Sequence, residues 1–98
     1  MTPAARIAAA IEILMEIGQG NAPADAILAD WFRGHRFAGS RDRRAIRDSV
    51  YADLRTGAFR RWRVAEAGGD PENARLRVVA EILDETPDAL ASLFSGEG

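Results

Sequence analysis

The sequence contains no cysteine and a single histidine, His35, among its 98 residues. Without cysteine the chain can form no disulfide bond, no thiolate metal site and no cysteine nucleophile, and one histidine cannot build a histidine-rich metal site. No apolar run approaches the roughly 20 residues that span a bilayer. Glu12 and Glu16 interrupt the first apolar segment, which a signal peptide would not tolerate. We therefore expect a cytoplasmic protein with no membrane segment and no metal.

Lysine is also absent, so all 13 basic residues are arginine. Genomic base composition explains this bias, and the bias alone is no evidence of an arginine-specific role. Base composition would, however, spread the arginines evenly along the chain. Instead, residues 33–63 (the basic segment) hold ten arginines against three aspartates, a formal charge of +7 within a chain of net charge −2. A basic centre thus lies between two acidic flanks, which sum to −9.

Catalytic and cofactor-binding motifs are missing as well. The glycines of Gly18-Gln19-Gly20 and Gly68-Gly69-Asp70 follow helical patterns rather than the strand that a phosphate-binding loop requires. Glu12 and Glu16 resemble half of a di-metal bundle site, but the partnering Glu-x-x-His motif is absent. We therefore expect no catalytic, metal or cofactor residue in this chain, and a self-contained enzyme is not supported.

Apolar residues recur at helical spacing, and no stretch alternates as a half-buried strand would. Thr2, Ser40 and Asp70 are expected to cap helices, and Gly57 is expected to end one. The predicted helices cover residues 3–17, 23–34, 41–56, 58–67 and about 71–84, with a sixth beginning at residue 87. We therefore expect one domain, residues 1–98, folded as an all-α compact bundle of about five or six short helices.

The helical spacing also predicts which side chains form the core. Trp31 belongs to an apolar stripe, so a core role is favoured over a base-stacking one. The predicted inward residues are Ile7, Ile11, Leu14, Met15, Ala24, Ile27, Leu28, Trp31, Phe32, Ile46, Val50, Leu54, Leu76, Val79, Ile82 and Leu83.

The arginines of the third predicted helix lie mainly on the face opposite its apolar row. Asp48 is expected to pair with Arg44, whereas the other arginines of that face have no partner nearby in sequence. Such a face can follow a phosphate backbone, because guanidinium groups bind phosphate oxygens with two hydrogen bonds. Arg43 is the exception, since its angle places it at the buried edge as a structural arginine. The predicted RNA-contacting residues are Arg36, Arg41, Arg44, Arg47, Arg55, Arg60, Arg61 and Arg63. The alternative is that these arginines pair with the acidic flanks inside the bundle.

The segment FAGSRDRRAIRDSVYADLR, residues 37–55, resembles the NusB-like domain. The matching residues are Arg41, Asp42, Arg43, Ile46, Val50, Tyr51, Leu54 and Arg55, and Ala52 stands where the family usually has glycine. The whole layout is most similar to the N-terminal domain of RsmB-type (Sun/Fmu) ribosomal RNA cytosine-5 methyltransferases. In that family the domain is helical and associated with RNA binding, while a separate Rossmann-like domain binds S-adenosylmethionine and carries two catalytic cysteines.

The resemblance implies an RNA-binding accessory domain, a fragment of a larger methyltransferase, with ribosomal RNA and the catalytic domain as partners. Because this chain has no cysteine and no unit of a strand, a glycine-rich loop and a helix, the catalytic half is expected to be missing, and S-adenosylmethionine is expected only there. The alternative is a stand-alone NusB-like antitermination factor or a protein-docking module. A protein partner or a homodimer would then bind an exposed apolar patch around Leu90, Leu93 and Phe94.

Overall fold

The structure, a computed structural model, describes residues 1–85, with residues 81 and 83–85 described by their backbone alone. This part of the chain contains four α-helices and no β-strand, which confirms the all-α prediction. The helices are α1 (Pro3–Gly18), α2 (Ala24–Gly34), α3 (Ser40–Glu66) and α4 (Ala74–Glu85). The predicted sixth helix and the predicted patch of Leu90, Leu93 and Phe94 lie outside the described residues. None of the four helices is both long and apolar enough to cross a membrane.

The starts of α1 and α2 follow from their sequences. The Thr2 hydroxyl accepts a hydrogen bond from the Ala5 N–H at 3.0 Å, which satisfies one of the donors left unpaired at a helix N-terminus. Pro3 occupies the first turn, where its missing N–H is not needed. Pro23 lies immediately before α2 in an extended conformation, which suits proline because its ring fixes the φ angle.

Helix α3 is a single helix of 27 residues, so the prediction of two helices separated at Gly57 is wrong. Gly57 does not adopt a positive φ, and a glycine in a helix interior costs only about 0.5–1 kcal/mol relative to alanine. A Cβ added at Gly57 would lie 2.8 Å from Nη1 of Arg61. The glycine therefore leaves room for a guanidinium group one turn later and does not end the helix.

The first turn of α3 is capped differently from the prediction. Gly39, not Ser40, precedes the helix, and its carbonyl accepts from the Arg43 N–H at 2.9 Å. Asp42 Oδ2 accepts from the Gly39 N–H at 3.0 Å, which is one half of a capping box. Ser40 is instead the first helical residue.

The start of α4 also differs from the prediction. The Asp70 carboxylate accepts from the Glu72 N–H at 3.0 Å, so Asp70 and Pro71 form a turn before the helix. Asn73 provides the actual cap, because its Oδ1 accepts from the Leu76 N–H at 3.2 Å. The helix therefore begins at Ala74, later than the sequence pattern predicts.

Backbone packing divides the chain into two units, of which the first is Met1–Tyr51. In this unit α1 packs on α2. Met15, predicted to be inward, is 62% exposed, because the buried face of α1 is centred on Ala10 instead. The buried apolar residues of the first unit are Ala9, Ala10, Ile11, Ile13, Leu14, Ile27, Leu28, Phe32, Ala38, Ile46 and Val50.

The second unit begins at Ala52 and is described up to Glu85. Its buried apolar residues within that part are Val64, Ala74 and Val78. Leu54, predicted to be inward, is 44% exposed, and its neighbour Asp53 is buried instead. In the described part of this unit, few apolar side chains are buried, and the charged residues Asp53, Arg60 and Arg77 are buried with them.

Candidate nucleic-acid interface

Five of the eight arginines predicted to contact RNA are exposed and make no ion pair with any described residue. Four of them lie in the first unit, and the fifth lies in the second. They are Arg36, Arg41, Arg44, Arg47 and, in the second unit, Arg55. The expected pair between Arg44 and Asp48 is absent. The alternative that these side chains are neutralised by the acidic flanks finds no support in the described part of the chain.

A cavity of about 610 Å³ in the first unit collects several of these charges. Its walls come from the end of α2, from the loop that follows, and from the first turns of α3. We call it the arginine groove, and its lining consists of Ala29, Phe32, Arg33, Arg36, Arg43 and Arg47. No acidic residue lines it, so the groove is a concave site of positive charge.

Three of the four guanidinium groups in the arginine groove are held by contacts within the protein. The guanidinium carbons of Arg43 and Arg47 each lie 5.6 Å from the centre of the Phe32 ring. Arg43 Nε also donates to the Ala38 carbonyl at 3.0 Å, and Arg33 pairs with Asp30 at 2.6 Å. Side chains that are ordered before binding lose less conformational entropy when a ligand arrives. The groove is therefore largely preorganised for an anion.

Sequence reasoning missed Arg33 and treated Arg43 as structural. Arg43 is half-buried and bonded to a main-chain carbonyl, as a structural arginine would be, but no acid pairs with it. The signal that could have found the groove is Phe32, an aromatic ring that ends the apolar stripe of α2 directly before Arg33. The contacts of this ring with Arg43 and Arg47 arise only when the two helices pack, so the sequence alone does not show them.

Aromatic side chains surround the loop that carries Arg36. The rings of Trp31 and His35 stack with centroids 3.7 Å apart and an interplanar angle of 5°. His35 Nδ1 donates to the Trp31 main-chain oxygen at 2.7 Å, and Trp31 Nε1 donates to Glu12 at 3.3 Å. Trp31 is accordingly half-buried, while Phe37, whose ring lies 5.8 Å from that of His35, is exposed. These contacts fix the backbone from which Arg36 projects.

The three remaining predicted arginines, all in the second unit, are engaged within the protein. Arg61 Nε donates to Glu72 at 3.2 Å. The guanidinium carbons of Arg60 and Arg63 lie 5.6 and 6.0 Å from the centre of the Phe59 ring. Arg60 is also buried, which leaves it little surface to offer RNA, so it is not part of the interface proposed below.

An exposed aromatic pair occupies the surface of α3 in the second unit. Phe59 is 51% exposed and Trp62 is 57% exposed. Their ring centroids lie 6.1 Å apart with an interplanar angle of 26°. Residues at i, i+4 and i+7 share one helix face, so Arg55 lies on the same side as both rings.

A buried ion pair in the second unit was not foreseen from the sequence. Asp53 is only 1% exposed and accepts from Arg77 through Nε at 3.0 Å and Nη2 at 3.2 Å. Arg77 Nη1 also donates to the Pro71 carbonyl at 3.0 Å. The pair is therefore hydrogen-bonded on several sides, as a buried charge requires.

Asp42, at the start of α3, is a second engaged carboxylate. Arg6 Nε donates to its Oδ1 at 2.7 Å, and this bond, followed by the bond from the Gly39 N–H, lowers the pKa of Asp42 below its ordinary value. Burial acts in the opposite direction and is outweighed. Asp42 is thus charged at neutral pH and ties α1 to the first turn of α3.

No group of three or more histidine, aspartate or glutamate side chains that could hold a metal ion occurs among the described residues. Comparison of the chain with models of protein families, with curated proteins and with solved structures finds no match. The resemblance to the NusB-like domain therefore stays a prediction from the residues that carry it.

Proposed function

We propose that this chain is an RNA-binding accessory domain that holds RNA by its phosphates for a separate catalytic domain in the cytoplasm. The observation that carries the proposal is the arginine groove, where four arginines and no acid line one cavity. The resemblance to NusB-like domains supports ribosomal RNA as the ligand. It also supports a cytosine-5 methyltransferase domain, with its own S-adenosylmethionine site, as the partner.

The chemistry of the arginine groove suits phosphate. Guanidinium groups present paired N–H donors in a planar fork that matches two oxygens of one phosphate. Arg36 and Arg47 are exposed and make no ion pair with the described residues, so their charges are available for a ligand. Binding releases the counterions condensed on the nucleic acid, which supplies a favourable entropy at low salt.

Charge beyond the groove favours a polyanion over a single small anion. Arg41 and Arg44 are exposed on α3 in the same unit as the groove and carry no ion pair with the described residues. The stretch from Arg41 to Arg47 extends about 9 Å along the helix axis. Successive phosphates of one strand are spaced by about 3.4 Å along a duplex axis, so this length can serve more than one phosphate.

Phosphate contacts fix the position of RNA without reading its sequence. The described residues therefore support a positioning role, with the choice of the modified base left to the catalytic domain. The alternative of an antitermination or protein-docking module would be favoured by an exposed apolar patch around Leu90, Leu93 and Phe94, which lie outside the described residues.

Equilibrium binding to a small-subunit ribosomal RNA fragment tests the proposal. In the variant Arg36→Ala/Arg44→Ala/Arg47→Ala, which removes exposed arginines only, we expect the affinity at low salt to fall at least about tenfold. The matched control is Arg75→Ala, which removes an exposed arginine of α4 outside the basic segment. Equal affinities of the triple variant and the control would contradict the proposal. Circular dichroism of each variant verifies that the helices remain folded.

A further inference from the structure

We infer that Phe59 and Trp62 form a stacking platform for unpaired bases, so that the RNA bound by this chain is single-stranded where it meets the second unit. The inference rests on the proposed function and names the class of RNA that the domain selects. We call the two side chains the aromatic platform.

The exposure of the aromatic platform is costly for folding. Phe59 and Trp62 are the two aromatic residues in the described part of the second unit, and more than half of each remains in solvent. Full burial of a large apolar side chain stabilises a fold, and these residues forgo about half of that gain. The buried apolar side chains of the same part are smaller, namely Val64, Ala74 and Val78.

The geometry of the aromatic platform suits nucleobases. The two rings are inclined by only 26° with centroids 6.1 Å apart, so they present neighbouring and nearly parallel π surfaces. Every base has a π face, and stacking on an aromatic ring is therefore tolerant of sequence. Such a contact therefore suits a domain that positions RNA without reading its sequence.

The charge around the aromatic platform favours RNA over an apolar protein partner. The guanidinium carbon of Arg63, which is half-buried, lies 6.0 Å from the centre of the Phe59 ring. Arg55 lies on the same helix face, is exposed, and makes no ion pair with the described residues. Aromatic rings bordered by arginine are the usual means by which proteins bind single strands, with bases on the rings and phosphates on the cations.

Binding to a 12-nucleotide unstructured RNA and to a duplex of the same length tests the inference. Trp62→Leu and Phe59→Leu keep apolar bulk but remove the π face, whereas Trp62→Phe retains a ring. We expect each leucine variant to weaken single-strand binding by about five- to 150-fold, with little change for the duplex and for the salt dependence. Trp62→Phe should retain most of the affinity. Met15→Leu, at an exposed apolar site on α1, is the control and should bind as the unaltered chain does.

Three outcomes would overturn the inference. The first is full single-strand affinity in both leucine variants. The second is an equal loss for single strand and duplex. The third is dimerisation of the unaltered chain in light scattering that Trp62→Leu abolishes, which would identify the platform as a contact between copies of this chain. If the triple arginine variant loses affinity while the leucine variants do not, only this inference fails. If the unaltered chain binds no RNA, the proposed function fails with it.

Discussion

At the scale of single residues, the buried charges decide which helix faces point inward. At 100° per residue, positions 46, 50, 53 and 60 of α3 fall on one side of the helix. Asp53 and Arg60 are buried there, together with Ile46 and Val50. A search for apolar spacing alone selects Leu54 in place of Asp53. The sequence could not reveal the difference, because the burial of Asp53 depends on a partner, Arg77, that is 24 positions away.

Removal of either partner from the Asp53–Arg77 pair should be strongly destabilising. We expect Asp53→Ala to lower the free energy of unfolding by about 3–5 kcal/mol, since the Arg77 charge would stay buried without its carboxylate. The double variant Asp53→Leu/Arg77→Met should recover most of this loss, because it removes both buried charges and keeps the volume. Urea denaturation followed by circular dichroism measures both values.

Asp48→Ala is the control for this experiment, since Asp48 is an exposed aspartate of the same helix that makes no ion pair with a described residue. Its substitution should change the free energy of unfolding by less than about 0.5 kcal/mol. If Asp53→Ala were as mild as Asp48→Ala, the pair would not be buried as described.

The lowered pKa of Asp42 predicts a specific acid sensitivity. Its folded pKa lies below the unfolded value of about 3.9, so the ionised carboxylate contributes stability that is complete above the unfolded pKa. That contribution is lost as the pH falls through the lowered folded pKa. We therefore expect the melting temperature of the unaltered chain to fall below about pH 4, and part of this fall to be missing in Asp42→Asn. Melting curves between pH 7 and pH 2 measure this effect, with Asp48→Asn as the control. Identical acid profiles for Asp42→Asn and the unaltered chain would refute the stabilising role of the ionised Asp42 carboxylate.

At the scale of helices, single residues predicted where α1 and α2 start, through the hydroxyl cap of Thr2 and through the fixed φ of Pro23, which makes no side-chain cap. Thr2 and Pro23 stand where their chemistry predicts, and α1 and α2 begin there. The predictions failed where one residue type has two possible structural roles. A glycine forms a left-handed helix cap only where its φ is positive, as at Gly68 and not at Gly57, and the sequence cannot state the φ of a glycine. The turn at Asp70 likewise uses a residue that could equally have capped a helix.

The continuity of α3 through Gly57 can be tested by Gly57→Ala. Alanine should gain about 0.5–1 kcal/mol from helix propensity but displace the Arg61 guanidinium from Glu72, an exposed pair worth about 0.2–1 kcal/mol. We therefore expect a change of less than about 1 kcal/mol in the free energy of unfolding. In an Arg61→Ala background the displaced group is gone, and the full gain should appear. A loss of more than about 1 kcal/mol in both backgrounds would mean that Gly57 ends a helix in a left-handed conformation.

At the scale of the whole molecule, the fold class and the location of the charge could be predicted from the sequence. The set of residues that together line the arginine groove could not. The absence of alternating stretches predicts an all-α chain, and the clustering of arginine in residues 33–63 predicts where a polyanion would bind. The arginine groove, however, needs Phe32 of α2 to lie beneath Arg43 and Arg47 of α3. Such contacts arise from helix packing, on which the spacing of residues along one helix carries no information.

The salt dependence of RNA binding tests whether exposed arginines of the first unit bind RNA phosphates. For single-stranded RNA the logarithm of the binding constant should fall with the logarithm of salt concentration by about 0.7 per phosphate contact. We predict a slope of roughly −2 to −3.5 for three to five contacts.

The triple variant Arg36→Ala/Arg44→Ala/Arg47→Ala should reduce the magnitude of that slope by about 2, whereas Arg75→Ala should leave it unchanged. A slope near zero for the unaltered chain, or the same slope in the triple variant and in Arg75→Ala, would contradict the account.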